Sequence, residues 1–288
     1  MNTRFDFMKY RKLAYVISAN LVFASIFSLT SKGLNYGIDF SGGISMDVRS
    51  SRADYGISEM RRDLALFNPE LQEDDKGNVL VRIGLDKNAT DETQNKTVRQ
   101  IKAALGENVS YQQIQIVGPK IGGELIRGGI LAIIFAFLMM GLYVWIRYRG
   151  GYAVGALVSL TQDFLFMFGF YSVAGLEFSQ SAIAVILTGV GYSINDKIVN
   201  YDRIMENSQK YHKMPTLELI NLSVNEMLTR TIMTSVTTAL GMIALFLFAG
   251  NVLREFSIAM LFSITSGTLS SIFVSNSVLA NFKIRDHE

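Results

Sequence analysis

Two carboxylates and an arginine stand where a chain can least easily hold charge. Asp163, Asp196 and Arg230 lie within or at the edge of long apolar stretches, and a charged group in hydrocarbon costs several kcal/mol, so each is a functional candidate. The chemistry open to such a set is proton uptake and release coupled to the making and breaking of charge pairs. Asp163 lies eleven residues into its stretch, ~16 Å deep if the stretch is helical. Asp196 lies 18 residues into the next, ~27 Å on the same scale. Arg230 lies 20 residues before Gly250, or ~30 Å from that end of the stretch that follows it. Asp196 and Arg230 are thus expected at similar depth, able to pair across a helix contact. Two readings of that pair stand: an ion pair that marks the membrane boundary, or one whose breaking accompanies protonation. Lys197, beside Asp196, favours the first. No Lys or Arg is expected at the depth of Asp163, which is read either as a neutral acid bonded to hydroxyls or as a proton relay.

The elements that hold these groups follow from how apolar residues are distributed. The 288 residues are 49% hydrophobic and 18% charged, and the apolar ones are blocked rather than spread. Six stretches reach the roughly 20 residues that a helix needs to cross a bilayer: Leu13–Ser31, Ile126–Ile146, Tyr152–Val173, Phe178–Val199, Ile232–Gly250 and Glu255–Phe282. The third, fourth and sixth carry hydroxyl and small residues among the apolar ones and are expected inside the bundle. The first follows Arg4, Lys9, Arg11 and Lys12; it is too long for a signal-peptide core and reads as a retained anchor. Basic residues cluster at the N-terminus, in the link after Ile146, between Lys197 and Arg230, and at Lys283 and Arg285. The positive-inside rule then places both termini in the cytoplasm. The absence of cysteine excludes disulfides and thiolate chemistry, and a net charge of +2 gives no case for nucleic acid. His212 and His287 are isolated, on a polar loop and a tail, so no enzyme or metal centre is expected. Thr216–Leu228, with Leu217, Ile220, Val224, Met227 and Leu228 at helical spacing, reads as an amphipathic helix on the cytoplasmic membrane surface.

The segment 32–125 is charged, mixed in sign and translocated. Strands are expected at Ile44–Arg49, Val79–Ile83 and Ile114–Val117, and helices at Ile57–Phe67 (capped at Ser58) and Thr90–Leu105 (stopping at Gly106). With one weak extra strand near Leu71, that order suits a ferredoxin-like α+β module. The chain therefore divides into a cytoplasmic N-terminus and first span (1–31), the outer domain (32–125), a five-helix bundle (126–282) with a cytoplasmic loop at 200–230, and a tail (283–288).

Four stretches are similar to the SecD/SecF family of accessory subunits of the bacterial protein-export translocase. Gly33-Leu34-Asn35-Tyr36-Gly37-Ile38-Asp39-Phe40-Ser41-Gly42-Gly43 resembles the family's signature after the first span, and Val117-Gly118-Pro119-Lys120-Ile121-Gly122 its entry to the second. The stretch around Asp163, the run Gly191-Tyr192-Ser193-Ile194-Asn195-Asp196 continuing to Tyr201-Asp202-Arg203-Ile204, and Arg230-Thr231 with Thr234-Ser235 and Thr237-Thr238 resemble its third, fourth and fifth spans. A single small outer domain resembles the SecF side of the family. The resemblance implies a half-unit of the RND-transporter type. It implies SecD, the SecYEG channel and often YajC as partners in the plasma membrane, with unfolded preprotein met on the outer side. It implies the proton gradient as energy source, with no cofactor, and assigns the functional intramembrane Asp and Arg to Asp196 and Arg230. Two positions depart from the family pattern: Lys197 stands where a small neutral residue is usual, and Gln162 where His is common. The alternatives are a half-unit of an RND-like exporter of small hydrophobic molecules, and a scaffold of the translocon that transports nothing.

Overall fold

The computed structural model describes residues 5–50, 55–73, 77–85, 90–106, 109–148, 150–249 and 251–282. The expectations resting on Arg4, Lys283, Arg285 and His287 fall outside these residues. In chain order come helix α1 (Arg11–Ser31), the short α2 (Ile38–Ser41), strand β1 (Gly43–Ser50), α3 (Ile57–Asp63), β2 (Glu70–Glu73), β3 (Asn78–Gly84), α4 (Asp91–Leu105) and β4 (Val109–Val117). Then follow α5 (Pro119–Arg147), α6 (Gly151–Ala174), α7 (Gln180–Lys210) and α8 (Thr216–Phe248). The last run is α9 (Asn251–Leu269), a π-helical turn (Ser270–Ser275) and α10 (Asn276–Leu279). The chain forms two compact units: Met1–Asn35 with Ile133–Glu177 and Ser181–Glu288, and Tyr36–Ala132 with Phe178–Gln180.

In the first unit, α6, α7 and the last run are the interior, as the polar content of their sequences predicts. Buried residues make up 61%, 56% and 56% of their most apolar windows, against 17%, 6% and 6% in α1, α5 and α8. All six runs are long and apolar enough to span a bilayer. The hydroxyl and glycine positions lie at the contacts, where small residues let backbones approach. A Cβ on Gly267 would stand 2.8 Å from the Cβ of Ser193, and one on Gly189 would collide with the Ser263 hydroxyl.

Several boundaries differ from expectation, among them the start of the second crossing helix, which lies at Pro119 rather than Ile126 and so inside the expected outer segment 32–125. The fourth crossing helix continues to Lys210 rather than stopping at Val199. The amphipathic segment from Thr216 is not a separate surface helix but the first turns of α8. No Gly or Pro lies between Thr216 and Leu240 to break it, and Leu219, Ile220, Ser223 and Val224 bury one face. The N-terminal segment docks on those turns: the Phe5 amide donates to Asn225 Oδ1 at 2.9 Å and the Met8 amide to Asn221 Oδ1 at 3.1 Å. The sixth helix, expected as one run, changes to π geometry at Ser270.

The second unit is built on a four-stranded antiparallel sheet in the order β2-β3-β1-β4. Alternation puts Ile44, Met46 and Val48 of β1 beside Val79, Val81 and Ile83 of β3, all nearly sealed from solvent. Met60, Leu64, Ile101 and Leu105 complete this core from the helical side. The weak strand near Leu71 is β2. Helix α3 starts one residue before Ser58, and Glu59 accepts from the Gly56 amide at 3.0 Å; helix α4 is capped by Thr90 and followed by Gly106 in a positive-φ conformation.

Candidate functional site

Helix α7 places Ser193, Lys197 and Tyr201 four residues apart, on one face. That face meets α6, which brings Asp163, and the last run, which brings Ser270 and Ser275. Lys197 is wholly buried and Asp163 is 3% exposed. The Lys197 ammonium donates to Asp163 Oδ2 at 2.7 Å, to Ser193 Oγ at 2.6 Å and to Ser270 Oγ at 3.1 Å. Those three acceptors match its three N–H bonds. Ser193 in turn donates to Asp163 Oδ2 at 2.7 Å, and Ser270 to the Gly267 carbonyl at 3.1 Å. The other carboxylate oxygen, Asp163 Oδ1, is buried and takes no hydrogen bond.

This geometry corrects the expectation that Asp163 has no cation at its depth: Lys197, assigned by adjacency to Asp196, is bonded to Asp163. Residues adjacent on a helix point about 100° apart, so neither could share the other's contact. Asp196 is also buried, with Oδ2 unpartnered. Arg230 is exposed, and among the described residues it forms no ion pair with Asp196. Around this centre, Gln162 Oε1 accepts from Ser18 of α1 at 2.7 Å, which ties α6 to α1. One turn along α7 from Lys197, the Tyr201 hydroxyl bonds Ser275 in the π-helical turn. It occupies space left by Gly155, where a Cβ would stand 2.6 Å from the Tyr201 oxygen.

Of the other signature residues, Gly191 and Tyr192 are half-buried on α7, the Tyr192 hydroxyl accepting from Thr238 of α8 at 3.4 Å, and Asn195 is exposed. The remainder belong to the second unit, where they shape backbone rather than carry charge. Gly37 precedes α2, Asp39 accepts from the Gln180 amide at 3.1 Å, and Phe40 is buried against Phe178. Gly42 and Gly43 both have positive φ, and a Cβ on Gly43 would lie 2.7 Å from the Ile83 carbonyl oxygen. Gly118 and Pro119 carry the chain from β4 into α5, and one turn on a Cβ at Gly122 would lie 2.8 Å from the Phe40 carbonyl oxygen. No group of three or more metal-ligating side chains occurs among the described residues. An apolar groove of about 750 Å³ lies between α1, α6 and the last run, with Leu13, Ile17, Phe166, Phe170, Phe262 and Phe273 in its walls.

Fold and site together define a multi-pass membrane protein with a small α+β unit and a sealed charge pair among its interior helices. Residues 97–285 match the family described as protein export membrane protein SecD/SecF, C-terminal, and residues 27–54 match the SecD/SecF GG motif. The chain belongs to the SecD/SecF family, whose members are transport subunits rather than enzymes. Protein translocase subunit SecF of Rickettsia felis is 39% identical over 98% of this chain and 92% of its own. The SecF of Rickettsia bellii OSU 85-389 is 38% identical over 99% and 95%. A crystal structure of SecDF from Thermus thermophilus, described as a translocon-associated membrane protein, matches 99% of this chain at 33% identity with a TM-score of 0.86. A SecDF structure in a super-membrane-facing form matches 98% with a TM-score of 0.72. This chain spans only 39% of either SecDF chain.

Proposed function

We propose that the chain works as the SecF-type half of a SecD–SecF pair in the plasma membrane, both termini in the cytoplasm. The pair draws on the proton gradient to assist preprotein movement through the SecYEG channel, with YajC an associated subunit. The observation that carries the reading is the presence, within a family of export subunits, of two buried carboxylates at membrane depth, each with an oxygen left without a partner. Protonation of a buried carboxylate alters its hold on nearby cations, Lys197 and Arg230. The interior helices then repack, and the outer unit, continuous in sequence with α1 and α5, moves with them. One charge crossing a 100 mV field is worth about 2.3 kcal/mol, enough to bias a pivot and to hold an already unfolded chain, not to unfold a stable one.

The test is preprotein translocation into vesicles carrying this chain with SecD and SecYEG, with and without an uncoupler. The chain is expected to raise the rate only when the gradient is intact, and Asp196→Asn or Arg230→Met is expected to reduce that gain. Equal stimulation with the gradient collapsed would leave the scaffold reading in its place. The apolar groove is the observation that favours the small-molecule exporter. That reading requires efflux of a hydrophobic compound dependent on this chain in cells whose preprotein export is unaffected by its loss.

A further inference from the structure

Resting on the proton-coupled reading above, we propose that Asp163 and Lys197 form a proton-operated latch. A proton arriving on Asp163 Oδ1 loosens the bridge that Lys197 makes between α6, α7 and the last run. Three features of the site lead there. Lys197 is satisfied by acceptors from three different helical runs, so it ties all three interior elements at one point. Asp163 Oδ2 receives both bonds made to the carboxylate, whereas Oδ1 is sealed and empty of partners. A proton can therefore be added there without displacing any existing bond. The outcome is a neutral acid whose Oδ2 is only a carbonyl acceptor, beside an ammonium that has lost its counter-charge. No other bond is made or broken.

The surroundings supply little else to compensate that ammonium. Helix α6 contributes no other charged residue, and none occurs between Phe256 and Phe282. Helix α7 adds Asp196, with its own unpartnered buried oxygen, and Tyr201, bonded to Ser275. Helix α8 offers Arg230, which is exposed, and the buried Thr231 hydroxyl. Helix α1 offers Ser18, already bonded to Gln162. Asp196 faces about 100° away on the same helix, so the ammonium that Asp163 releases has no second anion on its own face, and the three runs lose the point that held them. Stability alone gives no reason to keep such a pair, since apolar residues of similar volume commonly replace a buried ion pair at no loss.

The experiment compares Asp163→Asn, Lys197→Met and the double variant with the wild-type chain, each co-purified with SecD and reconstituted with SecYEG. Two readouts are taken: the gradient-dependent part of preprotein translocation, and the infrared absorption of protonated carboxyl groups as pH is varied. The expected result is a wild-type carboxyl band that comes and goes with pH and is missing in Asp163→Asn. All three variants are expected to lose the gradient-dependent part, including the double variant, which carries no unpaired charge and assembles with SecD at the wild-type level. A double variant with undiminished gradient dependence overturns the latch, as does an infrared band unchanged by Asp163→Asn. If wild-type translocation ignores the gradient altogether, the proton-coupled reading fails instead, and the infrared result still decides whether Asp163 exchanges a proton.

Discussion

Lys197 is adjacent in sequence to one acid and bonded to another, and a single chain position explains why. Sequence shows adjacency directly, but on a helix it is Ser193, four residues back, that shares the face of Lys197. The place of Asp163 midway along its helix was readable from residue counting; its partner was not, because partnership depends on which face of α7 meets α6. The signal available was the spacing Ser193, Lys197, Tyr201, three polar residues at intervals of four. Removing one member of a buried pair leaves the other uncompensated and typically costs ~3–5 kcal/mol, whereas removing both costs less. Asp163→Asn and Lys197→Met are therefore each expected to lower the thermal unfolding temperature in detergent, and the double variant to lie above both. Outside the membrane helices, Tyr55 offers a different titration. Burial, and then the hydrogen bond it donates to Asp63 at 2.8 Å, push its phenol up to about 12 from an ordinary value of 10.0. The folded chain thus keeps a proton that the unfolded chain gives up near pH 10. The resulting stability is intact below that pH and is lost as pH rises toward 12. Asp63→Asn is expected to flatten this slope, measured as protease resistance of the outer unit between pH 10 and 12.

Elements were legible where one period dominated. β3 alternates cleanly, β1 carries Ile44, Met46 and Val48 at every second position, and α4 carries its start and stop signals in Thr90 and Gly106. β2 was faint because its four residues bury only part of Leu71 and nothing else. The start of α8 was misplaced because its sequence changes from one-sided to all-round apolar near Thr231, and that change marks entry into the bilayer, not the end of a helix. The glycine signature after α1 is a backbone requirement: at Gly43 a side chain would be driven into the Ile83 carbonyl of the neighbouring strand. Gly43→Ala is expected to destabilise the sheet by ~1–3 kcal/mol, the usual cost of a residue forced into a disfavoured backbone region. Limited proteolysis of the intact protein reads this as earlier cleavage within the outer unit, with the membrane helices unaffected. A cleavage pattern identical to wild type would mean that the strand edge yields to the added methyl.

At the scale of the molecule, the order of the six spans and the identity of the three interior ones were written in composition, since polar residues survive in hydrocarbon only by facing one another. Sidedness is a separate expectation, resting on the placement of lysine and arginine, and under the proposed function it decides which end of the buried charge pair faces the source of protons. The chain is suited to a direct measurement because it contains no cysteine. Leu66 projects from the outer unit at 95% exposure, and Gln209 is exposed at the basic end of α7. Leu66→Cys is expected to react with a membrane-impermeant maleimide in intact spheroplasts, and Gln209→Cys only after the membrane is opened. The reverse pattern would put the outer unit in the cytoplasm, where it could not meet emerging preprotein, and would invert the direction in which the proton gradient drives Asp163.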